Sequence, residues 1–113
     1  MKIDIEMAAA APGAAEELRK YIEHHVRRSL VHARSYVDRV LVRVMDLNGQ
    51  KGSFDKLCAV EVRIAGHRPV TVRDFRPDMR AAIARATERA GLISLRRVRQ
   101  RQMMASGYWR GNS

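Results

Sequence analysis

The stretch from Asp78 to about Gln102, DMRAAIARATERAGLISLRRVRQRQ, constrains the rest of the chain more than any other. Wound at 3.6 residues per turn, it sorts into two faces. Met79, Ala82, Ile83, Ala86, Ala90 and Ile93 fall on one stripe that can pack on a sheet. Arg85, Arg89 and Arg96 fall on a second, spaced i, i+4 and i+11, with Arg99 beside them. Glu88 is the only acid after Asp78. A helix that joins a core with one side and presents guanidinium groups on another suits a polyanion.

The whole chain leans the same way. Lys and Arg number 22 against 12 acids, a formal charge of +10, and four of the 22 being lysines leaves 18 arginines. Such an excess costs self-repulsion and fits a partner that neutralises it. An anionic membrane surface fits less well, because no helix sets large apolar residues opposite a basic face while remaining free of core duty. No run approaches the ~20 apolar residues of a membrane span. The N-terminus MKIDIEMAAAAPGAA has acids where an export signal carries a basic and then a long apolar region, so a cytoplasmic protein is expected. With Cys58 the only cysteine, an internal disulfide is ruled out. Nucleic acid, and specifically RNA, is the expected partner.

At 113 residues the chain makes one domain, and the patterns along it assign six elements. Ile3, Ile5 and Met7 alternate with Lys2, Asp4 and Glu6, which predicts a half-buried strand. Pro12 and Gly13 are expected to break the chain before a helix from about Ala14 to Val31. Leu18, Ile22 and Val26 form its core stripe, helped by Tyr21 or His25, with Glu16 and Glu17 in the first turn and Arg27 and Arg28 near the last. Its outward face carries Arg19, Lys20, Glu23, His24, Arg27 and Arg28, basic but less purely so than the last helix. Arg34 to Met45 reads as a second strand with Val40, Val42 and Val44 on one face. Turn formers follow in DLNGQKGSFDK. The clearest period of two runs from Lys56 to Ala65, and a fourth strand starts at Val70 and ends near Asp74. Pro77 and Asp78 open the last helix. The predicted fold is α+β, a two-layer sandwich of order β-α-β-β-β-α. Its four-stranded sheet bears two helices on one face, and the first strand pairs in parallel with the second through a right-handed crossover. Residues 1–104 form the single domain, and 105–113, around Tyr108 and Trp109, are expected to be a mobile tail.

Other chemistry finds little footing. Asp46, Asn48 and Asp55 hint at a Ca²⁺ loop, but Gln50 and the missing late Glu spoil it. One cysteine on a core-facing position beside His24, His25, His32 and His67 does not make a zinc site. A nuclease built from Asp46, Asp55 and Glu61 needs carboxylates converging on a metal, and Glu61 points away from the core. No enzyme, metal, cofactor or small-molecule substrate is expected.

Three features together resemble the ribosome hibernation-promoting factors, a family that includes the ribosome-associated translation inhibitors and ribosomal subunit interface proteins. They are the element order, the DxNGxxG…DKxC hairpin from Asp46 to Cys58, and DMRAAI at Asp78 to Ile83. The resemblance spans residues 1 to about 100. It implies an architecture similar to double-stranded-RNA-binding domains and a seat in the small ribosomal subunit, in the channel for messenger and transfer RNA. Basic side chains of both helices there meet ribosomal RNA, and occupancy blocks translation under stress. Arg28, Arg89 and Arg96 match basic positions of the family. The chain departs at His25 and Leu92, where a basic residue is common, at Arg80, where the family often has Tyr, and at Arg85, an added charge. On that resemblance a chain ending at Ser113 is expected to be the short form, without the further domain that pairs ribosomes, and to act alone or beside a long-form partner. The residues expected to hold phosphate are Lys20, Arg27, Arg28, Arg85, Arg89, Arg96 and Arg99, because arginine's planar fork bonds two oxygens and keeps its charge. Reversing Arg89 and Arg96 together is expected to abolish binding at little cost in stability. The competing expectation is a general double-stranded-RNA binder that reads A-form shape without preferring ribosomes.

Overall fold

The computed structural model describes residues 1–8, 12–50 and 52–106; the Tyr108–Trp109 tail lies outside the described residues. Its elements are β1 (Lys2–Met7), α1 (Pro12–Ser29), a short 3₁₀ turn (Arg34–Tyr36), β2 (Val37–Asp46), β3 (Lys56–Ile64), β4 (Val70–Arg76) and α2 (Met79–Ser106). The fold is α+β, with one four-stranded sheet in the order β1-β2-β3-β4. As the strand–helix–strand connection leads one to expect, β1 runs parallel to β2, placing Ile3, Ile5 and Met7 against Val40, Val42 and Val44. β2, β3 and β4 follow as an antiparallel meander, with Val42 opposite Val60 and Val60 opposite Val72.

One face of this sheet and both helices share a single core. Val40, Val42, Val60, Val62, Val70 and Val72 meet Ile22, Val26 and Leu30 of α1 and Ala82, Ile83, Ala86, Ala90 and Val98 of α2. Fully burying a side chain the size of valine or isoleucine contributes ~1.5–3 kcal/mol, so this face dominates stability. α2 packs on β3 and β4, and α1 packs on α2 and β1. The small residues of α2 let it lie close. Added at Gly91, a Cβ would stand 2.2 Å from the Ser29 carbonyl oxygen, so the helix backbones touch there.

Several boundaries differ from those the sequence predicts. α1 begins at Pro12, two residues early, because proline is tolerated in a first turn where its missing N–H has no partner anyway. Glu16 and Glu17 therefore sit beyond the first turn, where the helix dipole has largely faded, whereas Arg27 and Arg28 do occupy the last. Residues 34–36 form a 3₁₀ turn and not the start of β2, since the Tyr36 N–H donates back to the Ala33 carbonyl. β4 continues to Arg76, paired with Lys56. Leu18 is only half buried, while Val98, absent from the predicted stripe, is buried.

The DxNGxxG…DKxC motif is a device for turning the chain. Asp46 Oδ1 accepts the Asn48 N–H at 2.8 Å, and Asp55 Oδ2 accepts that of Gly49 at 2.8 Å. Lys56 Nζ bridges both carboxylates, at 3.0 Å from Asp46 and 3.1 Å from Asp55. Asn48, Gly49 and Gly52 have φ of 52°, 81° and 66°, which asparagine and glycine adopt most readily. The Asn48 N–H and the Lys56 ammonium hold the Asp46 carboxyl below the usual carboxylate range, and the two carboxylates raise Lys56. Asp55→Ala should cost about 1–2 kcal/mol in a urea titration, because it removes the acceptor of the Gly49 N–H and half of the lysine's bridge. A change of a few tenths would mean that the backbone turn holds itself.

Candidate nucleic-acid interface

α2 carries seven arginines among its described residues and Glu88 as its one acid, so six of the ten net positive charges lie on it. α1 carries Arg19, Lys20, Arg27 and Arg28 against Glu16, Glu17 and Glu23, a surplus of one. The charge asymmetry between the helices is therefore larger than their outward faces suggest in sequence. On the open face of the sheet the acids are engaged. Asp4 lies 3.0 Å from Arg39, Glu6 lies 2.8 Å from Arg43, and Glu61 lies 3.6 Å from Arg63.

Arg85, Arg89, Arg96 and Arg99 are all exposed along α2, with Leu92 between them at 51% exposure. Lys20, Arg27 and Arg28 are exposed on α1. They differ in freedom. Lys20, Arg27, Arg28, Arg96 and Arg99 have no hydrogen-bond or ion-pair partner among the described residues, and Arg85 has only Glu88, at 3.7 Å.

Arg89 is different. Asp74 follows Val70 and Val72 on the buried face of β4 and is only 7% exposed. Its carboxylate takes Arg76 at 2.7 Å and Arg89 at 3.6 Å, and Arg89 also donates to the Arg73 carbonyl at 3.2 Å. Arg89 thus pins α2 to β4 while remaining half exposed. Its reversal is not free of structural cost, which corrects the expectation for the Arg89–Arg96 pair.

Three more arginines of α2 are structural. Arg80 stacks 4.6 Å over the Tyr21 ring, whose hydroxyl donates to the Arg80 carbonyl at 3.2 Å. Arg97 donates to the Arg68 carbonyl at 2.7 Å and Arg101 to that of Ala65, which straps the last turns of α2 to the β3–β4 turn. Nothing in the sequence separates these three from the free ones, because the partners are main-chain atoms or a ring in distant segments.

Between the helices lies an open groove lined by His25, Arg28, Ser29, Ala84 and Glu88, with a volume of about 410 Å³. A smaller apolar notch of about 150 Å³, lined by Ala33, Gly91, Leu92 and Leu95, adjoins it at Ser29 and Glu88. The His25 ring lies 4.3 Å from that of Tyr21, tilted 45° to it. Burial, then the neighbouring His24 and Arg28, lower its pKa, which favours the neutral imidazole. Sequence periodicity suggested packing for His25 but gave no sign of this groove.

The acids and thiol that could serve other chemistry are committed elsewhere. Asp46 and Asp55 hold Lys56. Cys58 is buried, and burial with the adjacent Asp74 pushes its thiol up to about 12, which disfavours the thiolate a metal or a nucleophilic role requires. Among the described residues no group of three or more His, Cys, Asp and Glu is placed to hold a metal, and no helix is long and apolar enough to cross a membrane.

No protein-family model and no curated protein sequence matches the chain. Solved structures do. A ribosomal subunit interface protein from Coxiella burnetii superposes with a TM-score of 0.66 at 13% identity, over 85% of this chain and 96% of the other. The N-terminal domain of Thermus thermophilus Protein Y superposes with a TM-score of 0.65 at 22% identity, over 85% of this chain and 98% of that domain. This chain has their fold. The name of the Coxiella burnetii protein is that of the family whose hairpin and helix motifs this sequence resembles.

Proposed function

We propose that this chain is a non-enzymatic, cytoplasmic ribosome-binding protein that occupies the small subunit and blocks translation by steric occlusion, as in ribosome hibernation. The observation that carries the reading is the row Arg85–Arg96–Arg99 on α2, displayed without strong internal partners on a fold shared with a ribosomal subunit interface protein. Arg28, with Arg27 and Lys20, extends the surface across α1, and Arg89 contributes its exposed part. These cationic groups meet ribosomal RNA through phosphate, which supplies affinity and orientation but no base sequence.

The test is co-sedimentation with purified small ribosomal subunits at near-physiological salt, with duplex RNA as competitor. Binding near one-to-one that survives excess duplex is expected. Loss to modest duplex would favour a general binder of A-form RNA. With roughly five or six phosphate contacts, log affinity should fall against log salt with a slope on the order of −4 to −5. A slope near zero would sink the proposal.

A further inference from the structure

Glu88 stands where a surface built only for phosphate has no use for it. It is the single acid of α2, its side chain is 61% exposed, and it lies on the wall of the groove between the helices. Its one ionic neighbour among the described residues, Arg85, is 3.7 Å away, too far for a hydrogen bond, so nearly all the acceptor capacity of the carboxylate faces the groove and solvent. A carboxylate there repels phosphate and attracts N–H donors.

The other wall is suited to a flat ring. His25 lines the same groove, backed by Tyr21 at 4.3 Å, and Tyr21 is itself covered by Arg80. The His25 ring thereby has aromatic support on one side, and with its neutral form favoured it offers a ring face instead of one more charge for phosphate. Arg28 stands at the same groove and can hold the phosphate attached to whatever enters.

Unstacked RNA bases are recognised by stacking on aromatic rings and by hydrogen bonds to their Watson–Crick edges. Among the four bases only guanine presents two adjacent N–H donors on that edge, at N1 and N2, which match the two oxygens of a carboxylate. We infer that the seam between α1 and α2 is a pocket for one unpaired guanine, stacked on His25 and donating N1–H and N2–H to Glu88. The inference rests on the reading of an RNA partner and adds a base-reading element to a phosphate-holding surface.

Two measurements test it. The first uses nine-nucleotide single-stranded RNAs, all adenosine or with one central guanosine or inosine, titrated by fluorescence anisotropy. The guanosine strand should bind roughly five- to a hundredfold more tightly than the all-adenosine strand, the discrimination a bidentate side chain–base pair gives. Inosine, which lacks the N2 amino group, should fall between, and Glu88→Gln should erase the preference. Equal binding of the three strands would overturn the inference.

The second compares the wild type and Glu88→Gln on small ribosomal subunits. If Glu88 reads a base, the variant binds more weakly. If only phosphate is read, the variant binds as well or more tightly, because a repelling charge has gone, and the inference fails. A wild-type chain that prefers guanosine yet does not sediment with subunits would remove the ribosome reading and leave the pocket standing. Glu88 is exposed and carries no packing, so an unchanged melting curve for Glu88→Gln is the expected control.

Discussion

Replacing Gly91 with alanine should lower the melting temperature by about 10 °C. A methyl group there meets the Ser29 main chain, at 2.2 Å from its oxygen and 2.9 Å from its carbonyl carbon. Neither atom is the end of a flexible side chain, so the two helices must move apart along the seam that carries Ile22, Val26 and Leu30 into the core. Overpacking of this kind costs about 1–3 kcal/mol and occasionally more. Because both atoms are main chain the upper end of that range applies, and after alanine recovers up to ~1 kcal/mol of intrinsic helix propensity a net loss of about 2 kcal/mol remains. For a domain near this size each kcal/mol moves the midpoint by roughly 4–8 °C. A variant that melts with the wild type would mean that the helices do not touch at Gly91.

Arg85→Glu with Arg96→Glu should weaken binding to small ribosomal subunits by at least about a hundredfold and leave the fold intact. Hydrogen bonds to charged groups are worth ~1.5–3 kcal/mol each, so losing two corresponds to two orders of magnitude or more. Neither side chain has a strong internal partner to lose, and exposed substitutions of that kind usually stay within about half a kcal/mol. Arg89 makes the informative contrast. Arg89→Glu sets a carboxylate against the buried Asp74, leaving Arg76 to hold two acids, so stability should fall together with binding. A double variant at Arg85 and Arg96 that melts normally and still pellets with subunits would exclude the outer row of α2 as the contact surface.

The parts of the fold that follow from local pattern were readable in the sequence. The alternation through Cys58, Val60, Val62 and Ile64 fixes both the strand and its buried face, and Val40, Val42 and Val44 fix the face of its neighbour. The Asp46–Cys58 motif was readable as a hairpin, although only the structure shows why each residue type is needed. The outer arginine row was readable from spacing alone. What escaped depends on which distant segments meet. Gly91 looks like a mere weakness in a helix until Ser29 is seen against it. Asp74 continues the Val70–Val72 alternation onto the buried face, a signal available in the sequence, but its partner Arg89 lies fifteen residues on, in another element. Glu88 looked like a lone interruption of a basic stripe, and its place on the groove wall depends on how α1 crosses α2.

The concentration of six net charges on α2 bears on how quickly a complex can form as well as on how tightly it holds. A molecule with six of its ten surplus charges on one helix, while Asp4, Glu6 and Glu61 on the open sheet face are held in ion pairs, is electrically lopsided. In the field of a polyanion it turns before it touches, so that a large share of encounters begin with α2 leading. Steering of this sort lifts association from a neutral 10⁵–10⁶ M⁻¹s⁻¹ toward ~10⁸ M⁻¹s⁻¹ at low ionic strength and weakens as salt shortens the reach of the field. On the proposed reading, the arginine row would set the rate of capture and the groove beside it what is kept.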